Sequence, residues 1–217
     1  MNNKVKLVGI TQSCVDGVDS ANDLIAYMAR VSNPANQNNQ ESAPKLVKYL
    51  IKHQHWSPFE MVSLVMEINT TRDIARQILR HRSFSFQEFS QRYALATDLG
   101  FETREARLQD VKNRQNSIEN TDSELDQIWL GQQAEVLRVA QRAYDWAVNA
   151  GLAKEQARSV LPEGLTHSRM YMSGTLRSWI HYCILRTDIA TQKEHREIAQ
   201  QCLVIIKDQF PVLQEVL

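Results

Sequence analysis

The sequence predicts an α+β fold, with helices packed around a mainly antiparallel sheet and residues 1–217 forming a single domain. Three observations carry this. Met61 to Asn69 alternates with the two-residue period of a strand. Two further strand-like runs and six or so helical segments follow a mixed order instead of a regular β–α alternation. No internal repeat and no linker divides the chain. Its 43% hydrophobic and 23% charged content is ordinary for a soluble protein that buries its own core.

Residues 4–11 are rich in β-branched side chains and read as a strand. Asp16-Gly17 turns the chain, and Ser20 with Asp23 three positions on starts a helix that runs to about Val31. Residues 33–40 are an Asn/Gln-rich loop. Ser42 and Pro44 open a second helix with Leu46, Val47, Leu50 and Ile51 at helical spacing. It runs out at His53-Gln54-His55-Trp56-Ser57-Pro58-Phe59-Glu60, which taken alone reads as a structured turn. In the strand Met61–Asn69, Val62, Leu64, Met66 and Ile68 point one way. Thr70 and Asp73 form a second capping-box-like start, for a helix whose Ile74, Ala75, Ile78 and Leu79 face inward.

Residues 94–122 are polar and read as a mobile excursion with one helical piece. Ser123 caps a long helix to about Ala150, roughly 40 Å at 1.5 Å per residue, closed by Gly151. Leu125, Ile128, Trp129, Val136, Leu137, Ala140, Tyr144 and Ala147 are its expected core side. A short helix spans Ala153 to Leu161, and Leu165 to Met172 alternates as a third strand. Ser173-Gly174-Thr175 caps a helix through Arg186, on which Arg177 and His181 share a face. A last helix runs from Gln192 to Phe210 with Ile198, Cys202, Ile205 and Ile206 inward.

Composition excludes several functions. Lys and Arg balance Asp and Glu, which argues against a general nucleic-acid binder. No apolar run approaches the ~20 residues needed to span a bilayer, and Met1-Asn2-Asn3-Lys4 carries no apolar targeting segment, so a cytoplasmic protein is expected. Cys14, Cys183 and Cys202 lack metal-type spacing and read as reduced, small, buried apolar residues. His53 and His55 have no further ligand at metal spacing nearby, so no metal site is expected. The glycines form neither G-x-G-x-x-G nor G-x-x-x-x-G-K-[ST], so a nucleotide would have to be held by arginines and aromatic rings.

Those residue types gather in one stretch, Arg80-His81-Arg82-Ser83-Phe84-Ser85-Phe86-Gln87-Glu88-Phe89-Ser90-Gln91-Arg92-Tyr93. A solvated helix face does not need so many rings, and a core does not tolerate so many unpaired charges. A cleft for a planar anion accounts for both, because guanidinium forks match phosphate and carboxylate. From 72 to 92, five arginines against Asp73 and Glu88 leave a local charge of +3 in a neutral chain. Arg72, Arg76 and Arg80 share a helix face; Arg72 and Arg76 read as a solvated stripe, whereas Arg80 leads into the cluster. His181 taken alone is more often a satisfied core histidine than a site residue. A rival reading is a nucleic-acid-binding module, with the 72–92 arginines on the backbone and Phe84, Phe86 and Phe89 stacked on bases.

Arg80-His81-Arg82, seven residues, Ser90 and then Arg92-Tyr93 resembles the signature of the flavin-dependent thymidylate synthases. His53-x-His55-x-Ser57-Pro58-Phe59-Glu60, Ala157-Arg158-x-x-Leu161-Pro162 and the helix carrying Arg177 and Arg186 sit in the family's order and spacing. The chain departs at Gln87 and Gln91, where the family commonly has Asn and Gly, and at His181, where it has a flavin-contacting Asn. A glycine at position 91 would matter if positive φ were needed there.

The resemblance implies reductive methylation of dUMP to dTMP, with 5,10-methylenetetrahydrofolate as carbon donor and FAD reduced by NADPH as hydride source. It implies dUMP contacts from Gln77, Arg80, Glu88, Phe89, Ser90, Gln91, Arg92, Arg158 and Arg186. Arg186 is the implied catalytic residue, stabilising charge on the uracil. FAD contacts are implied for His55, Ser57, Arg80, His81, Arg82, Glu88, Thr175, Arg177 and His181. The family is a homotetramer with active sites shared at subunit interfaces.

Overall fold

The computed structural model describes residues 4–215; the expectation for the first three residues falls outside them. Strand β1 (Val5–Ile10) is followed by helices α1 (Ala21–Ala29) and α2 (Ala43–Lys52). Strand β2 (Ser63–Thr71) runs into α3 (Arg72–Ile78) and the short strand β3 (Ser85–Glu88). A hairpin of β4 (Arg107–Gln109) and β5 (Ser117–Glu119) precedes α4 (Ser123–Asn149) and α5 (Lys154–Ala157). Strand β6 (His167–Thr175), α6 (Leu176–Arg186) and α7 (Lys193–Gln209) complete the chain. The fold is α+β, as the sequence predicts.

The main sheet has the order β1-β2-β6-β3, and every pairing is antiparallel. Val62, Leu64, Met66 and Ile68 do face the core, as the alternation requires, joined by Met170 and Met172 from β6. Helices α1, α2, α3, α6 and α7 contribute Ile25, Val47, Ile74, Trp179 and Ile198 to the same cluster. Full burial of one such side chain contributes roughly 1.5–3 kcal/mol. Trp179 is buried without leaving a donor unpaired, because its Nε1 donates to the Leu64 carbonyl at 3.2 Å. The opposite face of the sheet is polar: Tyr171 Oη donates to Glu67 Oε2 at 3.0 Å.

Gly174 is where β6 and the signature meet most closely. A Cβ there would lie 2.4 Å from Phe84 Cδ1. Its absence lets the Phe84 ring settle 4.9 Å from Trp179.

Several expectations need correction. The second capping residue is Thr71, not Thr70; its Oγ1 hydrogen-bonds Asp73 Oδ1 at 2.6 Å, while Thr70 is buried inside β2. The long helix is capped by Asp122, whose carboxylate accepts from the Glu124 and Leu125 amides, and not by Ser123. Only Ala140, Tyr144 and Ala147 of its expected core side are buried, in a small cluster with Ala96, Ala157 and Leu161. Leu125, Ile128, Trp129 and Val136 are exposed. Cys14 is exposed, whereas Cys183 and Cys202 are buried.

The 94–122 excursion holds a four-residue 3-10 turn at Ala96–Leu99, and its centre is the β4–β5 hairpin. It is tied down at several points. Gln133 of α4 accepts from the Arg104 amide at 2.8 Å and donates to the Arg104 carbonyl at 2.7 Å. The Arg104 guanidinium reaches Asp73 at 2.8 Å. Among the described residues, no helix is long and apolar enough to cross a membrane.

Candidate active site

The signature leaves the C-terminal end of α3, runs along α6 from Arg186 to Ser178 and becomes the edge strand β3. Arg80 and Arg82 are exposed, and neither forms an ion pair with a described residue. His81 between them turns inward. Arg186, in the last turn of α6, donates from Nε to His81 Nε2 at 2.9 Å. A ring nitrogen that accepts from a guanidinium carries no proton, so His81 holds its proton on Nδ1. Burial lowers its pKa from 6.5 to about 4, and the charges of Arg186 and Arg80 push the same way. The Arg186 Nη groups hydrogen-bond no described residue, so the charged edge of this braced guanidinium is available.

Nearer its N-terminal end, α6 meets the Ser57–Glu60 turn. Arg177 hydrogen-bonds Glu60, and Trp56 packs edge-on against His181 with ring centroids 4.8 Å apart. Burial, followed by the Arg177 charge, lowers the His181 pKa. Thr175 caps α6 by accepting from the Ser178 amide, and Ser178 Oγ reaches the Ser83 carbonyl at 3.4 Å. His55 is exposed beyond the end of α2, where Gln54 takes a left-handed φ of 57° and Tyr49 stacks on His53 at 4.2 Å. Thr175, Arg177 and His181 lie on α6 or its cap, which meets the signature at Ser83 and His81, while Ser57 lies in the turn that α6 packs against and His55 on the segment before it.

Its other end differs. Glu88 accepts from Ser168 Oγ at 2.7 Å and lies 3.5 Å from Arg72. The Phe89 amide donates to the Arg169 carbonyl at 2.8 Å, continuing the edge pairing. Ser90 Oγ accepts from the Arg92 amide at 3.4 Å, and Arg92 pairs with Glu155 at 3.1 Å. Gln91 is buried with its Nε2 unpaired among the described residues. Its backbone does not have positive φ, so glycine is not required there. Arg158 contributes to lowering the Glu163 pKa, where the hydrogen bond from Arg76 is the largest cause. No hydrogen bond or ion pair joins Ser90, Arg92 or Arg158 to the His81–Arg186 pair. Arg72 is no solvated arginine, since it faces both Glu88 and Glu163; Arg76 is exposed but also bound to Glu163.

Gln77 was expected at the ligand, yet much of its amide is engaged inside the protein. Its Nε2 donates to Gln192 Oε1 at 2.7 Å and its Oε1 lies 3.3 Å from His195 Nδ1. His195 is fully buried and also 3.1 Å from the Tyr182 hydroxyl. His195 is not among the residues expected from the sequence, although it stands on the buried stripe of α7 with Ile198, Ala199, Cys202 and Ile206. A polar ring on an apolar stripe was the available signal.

Burial pushes the Cys183 thiol up to about 12, and burial likewise raises the Cys202 thiol well above its ordinary value. Neither supplies a thiolate nucleophile at neutral pH. Exposed guanidinium groups, a cation braced on a neutral imidazole, and adjacent rings suit a large anionic ligand with flat ring systems.

Comparison with known proteins agrees with that chemistry. Residues 14–212 match the family model described as thymidylate synthase complementing protein. The chain is 51% identical over 213 residues to the flavin-dependent thymidylate synthase of Synechocystis, covering 96% of each. It is 46% identical over 212 residues to a probable flavin-dependent thymidylate synthase of Paramecium bursaria Chlorella virus 1, covering 98% of this chain and 97% of the relative. A crystal structure of the UMP/dUMP methylase PolB from Streptomyces cacaoi, bound with 5-Br dUMP, superposes with a TM-score of 0.81 at 28% identity. That match covers 97% of this chain and 92% of the other. The chain belongs to the flavin-dependent thymidylate synthase family.

Proposed function

We propose that the whole chain is one catalytic domain that converts dUMP to dTMP, taking carbon from 5,10-methylenetetrahydrofolate and a hydride from NADPH by way of FAD. The balanced reaction consumes dUMP, the folate, NADPH and one proton, and releases dTMP, tetrahydrofolate and NADP⁺. The observation that carries the reading is the Arg186–His81 bond, which joins the signature to the end of α6 in one anion-seeking group.

The exposed cations of Arg80 and Arg82 fit the pyrophosphate of FAD, and Ser57, Thr175, Arg177 and His181 would supply further FAD contacts. His55, reaching out beside Tyr49 and His53, would meet the flavin ring; Glu88 is the remaining flavin contact. Bound FAD supplies the hydride chemistry. The chain's own residues bind and orient. Arg80, Ser90, Arg92 and Arg158 would take the phosphate and sugar of dUMP, with Gln77, Glu88, Phe89 and Gln91 completing its pocket. Gln91 reaches a ligand only if the turn after Phe89 moves, because its amide is sealed in. Arg186 would stabilise negative charge on the uracil as its N3 proton leaves; such a donor is worth about 10²–10³-fold in rate. Because His81 stays neutral down to about pH 4, it accepts from Arg186 without competing for the anion.

The exposed Leu125, Ile128, Trp129 and Val136 support a homotetramer that covers this half of α4, with sites completed at the interfaces. A cytoplasmic location belongs to the same reading. The nucleic-acid alternative loses its basis: Arg72, Arg76 and Arg92 are paired with carboxylates, and Phe84 is buried. The test is a flavin absorbance spectrum that bleaches anaerobically under NADPH, followed by mass-spectrometric detection of dTMP. A protein that stays colourless after incubation with FAD overturns the proposal.

A further inference from the structure

A polar chain with a defined direction crosses the interior behind the signature. It starts at Glu194, whose carboxylate is hydrogen-bonded by Arg107 of the β4–β5 hairpin. Burial alone would raise the Glu194 pKa, but its own amide, Arg107, Gln192 and Arg104 outweigh that and hold it below the ordinary value. An ionised carboxylate only accepts. Gln192 must therefore turn its NH₂ to Glu194, at 2.9 Å, and its oxygen to Gln77. Gln77 must then turn its NH₂ to Gln192, at 2.7 Å, and its oxygen to His195. That oxygen can be satisfied only by a proton on His195 Nδ1, 3.3 Å away. The other ring nitrogen is left as an acceptor for the Tyr182 hydroxyl at 3.1 Å. Each orientation follows from the one before.

We propose that His195 is a positioning residue which, as the Nδ1-protonated neutral imidazole, locks the Gln77 amide so that its second N–H points to the bound pyrimidine nucleotide. It rests on the functional reading above, in which Gln77 contacts dUMP. Three features support it. His195 is fully buried, so no water can replace its bond to Gln77. Burial, followed by the Arg186 charge and by His81 once that ring is protonated, holds its pKa down to about 3, so the ring stays neutral. Tyr182, its second partner, packs edge-on against His81 with centroids 4.9 Å apart, which links the same ring to the Arg186 pair.

The test uses FAD-loaded protein and dUMP as the probe. Asn at 195 can place an amide N–H where Nδ1 stands, and Gln places its amide at the Nε2 position. His195→Asn is expected to keep dUMP affinity within about threefold, while His195→Gln and His195→Leu weaken it about tenfold with flavin occupancy unchanged. In a Gln77→Ala background, His195→Leu should add less than about twofold, because its effect passes through Gln77. Additive losses, or equal losses in the Asn and Leu variants, would overturn the inference. Independently of dUMP, ¹⁵N chemical shifts of His195 should report a protonated Nδ1 and a bare Nε2 between pH 6 and 8; the opposite tautomer would overturn it too. A wild-type protein that binds FAD but no dUMP would instead overturn the functional reading, leaving the tautomer to be judged on its own spectrum.

Discussion

The interior and the rim of the site are built on opposite principles. Inside, Gln77 is held by Gln192 and His195, His195 meets Tyr182, His81 accepts from the Nε of Arg186, and the two imidazoles are held neutral. On the rim, Arg80 and Arg82 stand exposed without an ion-pair partner among the described residues. A hydrogen-bonded network anchored on buried His195 and Tyr182 fixes geometry, whereas an unpaired exposed cation keeps its charge for a ligand. Interior changes should therefore affect the chemical step, dUMP positioning and stability, and rim changes should affect FAD retention.

Arg186→Ala gives the largest effect expected. Turnover should fall about 10²–10³-fold while flavin stays bound, measured as dTMP formed per flavin. Full activity would remove Arg186 from the chemistry. Arg82→Ala should weaken FAD retention about tenfold, the scale of one charge-assisted hydrogen bond; flavin absorbance per protein after gel filtration reads this directly. Unchanged occupancy would count against the rim assignment.

Gly174→Ala tests the packing beneath both regions. The added methyl would lie 2.4 Å from the Phe84 ring, so Phe84 must leave its place against Trp179. Overpacking of this kind costs about 1–3 kcal/mol, which lowers the melting temperature by a few to about ten degrees. An unchanged melting temperature would mean that Phe84 has room to yield.

Acid should act on the interior more gently. The folded pKa values of His81 and His195 lie near 4 and 3, below the ordinary 6.5. As pH falls through 6.5 the unfolded chain takes up protons that the folded protein refuses. Stability is therefore full above 6.5 and is lost as pH falls from there toward 4. Thermal melts between pH 7.5 and 5 should show the decline, and His195→Asn should flatten it; an equally steep slope in that variant would contradict the assignment. The charged groups acting on these rings are Arg186 and Arg80 for His81, and Arg186 for His195.

Much of this was legible in the residues themselves. The Met61–Asn69 alternation placed the correct side chains inward even though β2 begins and ends two residues later. Strand β3 was not foreseen, because four residues on a sheet edge carry too little periodicity to separate Phe86 and Glu88 from a loop. The apolar stripe of α4 was read as core, yet its N-terminal half is exposed; a stripe shows that a face seeks cover without saying what provides it. The signature's rim was visible as unpaired charge. The interior network was not, since the 118 residues separating Gln77 from His195 leave no local pattern.

The difference between rim and interior is tested most directly by FAD rescue. Turnover of Arg82→Ala and Arg186→Ala should be measured at rising FAD concentration, with saturating dUMP, folate and NADPH. Arg82→Ala should recover most of the wild-type rate once FAD saturates, and Arg186→Ala should recover none. Recovery of Arg186→Ala by FAD, or failure of Arg82→Ala to respond, would contradict the division of labour.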